Sequence, residues 1–317
     1  IHYRLGDRVA AITEFERSIR IYDQLVKTHP NVPRYAGSLS SMYVDMARVL
    51  FIGGQTDEVI GFYTKAILIK EQLAKDHPDS LLQANNLAIT YGNLSRVQST
   101  LGQTVLAINT INKAILIEEQ LVKDHPEIME YASSLCSSYN QLANVLRKHG
   151  KTDEAIGFYK KAILIRKQLV KDHPDILKYA SNLSSTYNGL AGVLSDHGKS
   201  DESIEIFKKA IRIKEQLVKE HPRVPMYASS LSSSYVDLAG TLRDHGHLDK
   251  AIEFFDNAIL IKVQLVKDYP DVLEYAATLA ISYKTLGMAL VGLQEVDEAI
   301  HFYKKAILIE EQLVKDH

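Results

Sequence analysis

Cysteine occurs once in this sequence, at Cys136, and tryptophan does not occur. A single thiol excludes an internal disulfide framework and a cysteine metal cluster. Charge of one sign is also missing, with a formal net charge of −2 and acidic and basic residues interspersed. Nothing global therefore draws the chain to nucleic acid or to an anionic membrane. No apolar run approaches the roughly 18 residues that span a bilayer. The commonest such run is only Ala-Ile-Leu-Ile. There is no signal-peptide pattern, and a cytoplasmic setting is expected. The sequence starts at Ile1 and stops at His317 in mid-motif, so it reads as a piece of something longer.

Proline is scarce, but its placement is regular. Pro30, Pro78, Pro126, Pro174, Pro222 and Pro270 are each 48 residues apart. Gly6, Gly54, Gly102, Gly150, Gly198 and Gly246 keep the same interval, and Gln294 takes the seventh place. Two interleaved registers of this kind define an internal repeat, which overrides single-domain reasoning. The repeats are 1–30 (partial), 31–78, 79–126, 127–174, 175–222, 223–270 and 271–317, in one array over 1–317.

Residues 127–174 serve as the type case. Tyr131, Leu135, Tyr139, Leu142 and Leu146 recur every three or four residues, one apolar stripe of a helix. Gly150 then marks a helix stop. Thr152 is expected to cap a second helix, with Asp153 and Glu154 in its first turn. Ala155, Tyr159, Ala162, Ile163 and Leu169 form the stripe of that second helix, which ends at His173-Pro174. No segment alternates with period two over a strand length. The spacing predicts thirteen long helices, with a remnant of an earlier one at residues 1–5.

These residues resemble the tetratricopeptide-repeat (TPR) family. Gly150, Ala155, Tyr159 and Ala162 stand at its signature spacing, and Tyr139, Leu142 and Ala143 match its first-helix positions. Gly246, Ala251, Phe255 and Ala258 repeat the signature in full, and the remaining repeats carry it with single exchanges such as Val59, Ile111 and Ser203. The resemblance implies an all-α, right-handed α-solenoid superhelix of antiparallel hairpins. The family repeat has about 34 residues. The extra 14 or so equal about four helical turns, so lengthening both helices keeps every face in phase. Tyr-Ala-Ser-Ser-Leu extends the first helix backward, and Glu-Gln-Leu-Val-Lys-Asp-His extends the second forward.

Candidate chemistry is sparse. His29, His77, His125, His173 and His221 precede the prolines, and His149, His197 and His245 precede the glycines. All sit where helices should end, where a histidine meets the last carbonyls. Metal-ligand spacing is absent. Gly150-Lys151-Thr152 and Gly198-Lys199-Ser200 imitate the end of a phosphate-binding loop, but the required earlier glycine is Val145 or Val193. The recurrent serines lack a nucleophile elbow, and Cys136 replaces serine or alanine of sister repeats. No enzyme activity, cofactor or metal is expected.

Variation lies elsewhere. The resemblance places groove residues just after the first-helix aromatic and about four and eight residues later. Here those are Arg48, Arg96, Asn140, Asn144, Arg147, Lys148, Asn188, Asp196, Asp237, Arg243, Asp244 and Lys284. Variation on a constant framework suits a tailored binding surface, although solvated helix faces drift in the same way. Basic residues dominate early repeats and acidic ones the later repeats, with Arg243 and Lys284 as interruptions. The expected role is a protein–protein interaction scaffold for a peptide or protein ligand, with no nucleic-acid or membrane partner. The alternative is a sensor arm of a larger signalling or effector protein. Ile307, Leu308 and Leu313 on the last helix would also allow end-to-end self-association.

Overall fold

The computed structural model describes residues 5–315, which form thirteen α-helices and, among the described residues, no strand. The first helices of the repeats are α2 (Pro33–Ile52), α4 (Leu81–Thr100), α6 (Met129–Lys148), α8 (Leu177–Asp196), α10 (Pro225–Asp244) and α12 (Leu273–Gly292). The second helices are α1 (Leu5–Thr28), α3 (Val59–Asp76), α5 (Thr104–Asp124), α7 (Thr152–Asp172), α9 (Ser200–Glu220), α11 (Leu248–Asp268) and α13 (Val296–Lys315). The architecture is the expected all-α repeat solenoid of helix hairpins. The remnant helix foreseen at residues 1–5 lies outside the described residues except for Leu5. Leu5 and Gly6 belong to α1 instead. The contacts group the chain into two compact units, one up to Phe158 and one from Tyr159 onward.

Each hairpin turns on its glycine. Gly54, Gly102, Gly150, Gly198 and Gly246 all have φ between 73° and 78°, the left-handed region. At Gly150 the amide donates to the Arg147 carbonyl at 3.1 Å, and the Lys151 amide reaches back to Leu146 at 2.9 Å. This closure absorbs the end of α6 and delivers the chain straight into α7. Thr152 is therefore the first residue of α7 and not its cap. The carbonyl before it, on Lys151, accepts the first helical bond from Ala155 at 3.0 Å. Pro33 and Pro225 occupy the first turns of α2 and α10, where a missing amide proton costs nothing.

Gln294 makes the same turn with φ 66°, the one non-glycine residue at positive φ among the described residues. A side chain in this region costs about 1–2 kcal/mol. Gln294→Gly is expected to stabilise the α12–α13 hairpin by about 1 kcal/mol, part of the gain being lost to the freer unfolded chain. A denaturation midpoint that stays put or falls would contradict this.

Small residues let the helices of a hairpin close. Ala155, Ala162, Ala210, Ala251 and Ala258 are fully buried. The signature aromatic fills the space toward the next hairpin. Tyr159, Phe207 and Phe255 are among the largest fully buried side chains, and the Tyr159 ring lies against Gly189 of the following first helix. In the unit from Tyr159 onward, Phe207, Ile211, Leu238, Phe255 and Leu286 share one core. The first-helix tyrosines reach back in the other direction. Tyr139 donates to Glu119 and Tyr235 to Glu215, each at 2.6 Å.

Candidate interaction surface

Every first helix leaves one stripe uncovered by its two flanking second helices. On α2 it is Ser41, Asp45, Arg48 and Ile52, at offsets of four, three and four residues along one helical face. On α4 it is Ile89, Asn93, Arg96 and Thr100, and on α6 it is Ser137, Gln141, Asn144 and Lys148. On α8 it is Ser185, Gly192 and Asp196, the intervening Gly189 being covered by Tyr159 of α7, and on α10 it is Ser233, Asp237, Gly240 and Asp244. Arg48, Arg96, Asn144, Lys148, Asp196, Asp237 and Asp244 are all exposed there.

The other five candidates are half-buried. Asn140, Asn188 and Lys284 stand one helical step toward the neighbouring helices. Asn188 donates to Ser234 Oγ at 2.7 Å and to Asp237 Oδ2 at 3.4 Å, tying α8 to α10. Lys284 instead holds Glu310 of α13 at 2.6 Å. Arg147 and Arg243 occupy the equivalent place on α6 and α10. Arg243 folds onto Asp244 at 2.8 Å. Gln141, absent from the candidate set, donates to the Gly92 carbonyl at 2.8 Å and links α6 to α4.

Beneath the stripes lies a feature that the sequence reading missed. Lys70, Glu118, Arg166, Lys214 and Lys262 are all buried, one on each of α3, α5, α7, α9 and α11 at the 48-residue interval. Lys214 donates to the Ser230 carbonyl at 3.1 Å and to the Ser234 hydroxyl. Lys262 does the same with Thr278 at 3.1 Å and Ser282 at 2.7 Å. Arg166 uses the Asn182 carbonyl and the Thr186 hydroxyl. The hydroxyl is always twenty residues on and the carbonyl sixteen on. A buried charge persists only when polar partners replace its water. Arg166, Lys214 and Lys262 thus tie α7, α9 and α11 each to the first half of the next first helix.

Burial pushes the Lys214 and Lys262 ammonium groups down to about 8, against the opposing pull of Asp237. Lys70 is lowered for the same reason, with Asp45 opposing. Asp237 thus faces two buried lysines below it and solvent above. Glu118 is the lone acid of the series. Burial raises its carboxyl to about 7, the hydroxyl of Ser138 opposing, and its Oε2 has no hydrogen-bond partner. The available signal was a gap: the apolar stripe of α7 passes from Ile163 to Leu169 and skips Arg166.

The histidines do end helices. His77, His125, His149, His197, His221 and His245 are C-caps, the amide of each donating to a carbonyl of the final turn. The His173 and His221 rings meet Tyr179 and Tyr227 edge-on with centroids 6.2 Å apart. Cys136 is buried. Among the described residues no helix is long and apolar enough to cross a membrane.

Comparison with known proteins bears on the same repeats. Family models described as tetratricopeptide repeat match residues 134–216 and 280–313. No curated protein matches the chain by sequence. Among solved structures, BtubC (BKLC) from P. vanneervenii superposes with a TM-score of 0.62 at 20% identity, covering 81% of this chain and 92% of that one. Aspartyl phosphate phosphatase F from Bacillus subtilis gives 0.58 at 15% identity, covering 91% of this chain and 74% of that one. A Podosopora anserina protein with nearly identical TPR-like repeats gives 0.51 at 20% identity, covering 73% and 97%. At these identities the likeness is one of fold.

Proposed function

We propose that this chain, which carries tetratricopeptide repeats, is a protein-interaction scaffold whose first-helix stripes hold a peptide or protein surface. One observation carries the reading. Packing positions repeat every 48 residues, whereas the exposed stripe changes from helix to helix: Arg48 and Arg96, then Asn144, then Gly192 and Gly240. A surface kept only for solubility needs mixed charge. Here the exposed charges on the first unit's stripes are Arg48, Arg96 and Lys148, with the half-buried Asp45 3.5 Å from Arg48, while α8 and α10 expose Asp196, Asp237 and Asp244. Such charges steer and select a ligand more than they add raw affinity.

A displayed library of random peptides is the probe, since it samples ligands of every charge pattern. Peptides enriched on the wild-type chain should include acidic ones. These should bind Arg48→Glu/Arg96→Glu/Lys148→Glu at least tenfold more weakly, with unchanged helicity. A tenfold loss corresponds to about 1.4 kcal/mol. Equal binding of every enriched peptide to the reversed variant would remove the basic stripes from the reading. The three side chains are exposed, so their reversal leaves the core alone.

A further inference from the structure

A cleft recurs where one second helix meets the turn into the next. Between α1 and the start of α3 it has a volume of about 380 Å³ and is lined by Ile12, Glu16, Leu50, Gln55, Asp57 and Glu58. Between α9 and α11 it measures about 250 Å³, and Ile204, Lys208, Leu242, His247 and Lys250 of its lining hold the same places four repeats on. Between α3 and α5 those places belong to Ile60, Thr64, Gln98, Gln103, Val105 and Leu106. This set has changed its chemistry. Leu50, Leu146, Leu194, Leu242 and Leu290 stand where Gln98 does, and all are buried. Gln98 is buried as well, at 6% exposure, yet its Oε1 has no hydrogen-bond partner. The Oε1 of Gln103 is also buried and unpartnered. The backbone amide of Gln103 donates to the Gln98 carbonyl at 2.8 Å, which holds the two residues together. An unmet buried amide is costly, and the sister leucines show that the fold does not need one here. The rim differs too. In the five other repeats that contain both helices, aspartate stands in place of Val105, and Glu58, Glu154, Glu202, Lys250 and Glu298 in place of Leu106. Val105 is 62% exposed and Leu106 52%.

We propose that the interval between α3 and α5 is a recognition site for a primary carboxamide carried beside an apolar group, the chemistry of an asparagine or glutamine side chain in an uncharged stretch of a partner peptide. Two neighbouring amide oxygens call for two N–H donors, and a single NH2 group supplies both. Turning either glutamine amide over exchanges an unmet acceptor for an unmet donor, which the carboxamide oxygen answers. Val105 and Leu106 offer the ligand apolar contact and no charge. A cation suited to Glu16, Asp57 and Glu58 of the first cleft finds no counter-ion at the equivalent places here. Gln98, Gln103, Val105 and Leu106 lie off the first-helix stripes, so failure of this site would leave the scaffold reading untouched.

The test uses N-acetyl-leucinamide, whose isobutyl group and terminal carboxamide match the two halves of the site, titrated into the whole nitrogen-15-labelled chain. The side-chain amide resonances of Gln98 and Gln103, assigned by their loss in Gln98→Leu and Gln103→Lys, should shift and saturate in the millimolar range expected of so small a probe. N-acetyl-leucine has nearly the same shape with a carboxylate in place of the carboxamide, and should bind at least tenfold more weakly. N-acetyl-leucine dimethylamide is neutral but has no N–H on its terminal amide, and should be as weak. Gln98→Leu and Val105→Asp/Leu106→Glu restore residues that sister repeats carry, so both variants should fold, and each should weaken binding at least fivefold. Resonances unmoved at both glutamines would overturn the proposal, since ordered water would then complete the two oxygens. So would an acid or dimethylamide that binds as well as the carboxamide, or binding indifferent to Gln98→Leu.

Discussion

At pH 8, Glu118→Gln is expected to be more stable than the natural chain by about 3 kcal/mol, and the advantage should vanish near pH 4. The reason is the mismatch between Glu118 and its place in the buried series. Its sisters Arg166, Lys214 and Lys262 each donate to a carbonyl and a hydroxyl of the next first helix. A carboxylate at the same place has nothing to donate, and its Oε2 stays without a partner. The folded chain therefore keeps the proton up to about pH 7, whereas an unhindered glutamate releases it near 4.5.

The sign follows from proton counting. Below pH 4.5 both states hold the proton, and the group is neutral to stability. Between 4.5 and 7 only the folded state holds it, so each rising pH unit removes about 1.4 kcal/mol. Above 7 the loss is complete and constant. Glutamine accepts from Ser138 with its oxygen and offers an amide proton toward the Ser134 carbonyl, as the lysines do sixteen residues ahead. Urea unfolding of both proteins at pH 4.5, 6 and 8 would measure it, read from probes in the unit that ends at Phe158. Parallel stability profiles for the two proteins would show that Glu118 is not held protonated.

Much of this structure was legible because a repeat is a sequence pattern before it is a shape. The proline and glycine registers predicted that the first helix of residues 127–174 stops at Gly150, and α6 spans Met129–Lys148. Helix faces were legible too, since Arg48, Arg96 and Asp244 fall on the exposed stripe as their offsets require. Partners across helices were not legible. Whether Asn188 faces solvent or Ser234 depends on a helix 46 residues further on. Local periodicity carries no information about that distance. The buried cations escaped for the same reason. A charge inside an apolar stripe reads as the edge of a solvated face until the following hairpin is in place. Thr152 shows the converse, a strong local capping signal set aside because the glycine turn before it leaves no residue to spare.

Gly189→Ala separates local preference from packing, because the two make opposite predictions. Alanine is favoured over glycine inside a helix by up to about 1 kcal/mol, so propensity alone says that the change stabilises α8. Packing disagrees. A Cβ on Gly189 would lie 2.5 Å from Tyr159 Cε1 and 2.7 Å from Cζ and Oη. Tyr159 is 1% exposed and packed on every side, so the ring has nowhere to retreat. Overpacking of this kind costs about 1–3 kcal/mol. The larger effect wins, and Gly189→Ala should destabilise the chain by a net 1–2 kcal/mol or so. Gly240 on α10 is the control. A Cβ there meets nothing within 4 Å, and Gly240→Ala should stabilise by up to about 1 kcal/mol. The sister repeat supplies the rescue. Ile111 occupies the place of Tyr159 and lies fully buried, so a Tyr159→Ile background removes the ring and should make Gly189→Ala neutral or stabilising. Chemical denaturation of the four proteins in the Tyr159/Gly189 cycle gives the coupling directly. Additive changes would mean that the ring and the glycine do not meet, and the aromatic would lose its role as the wedge between hairpins.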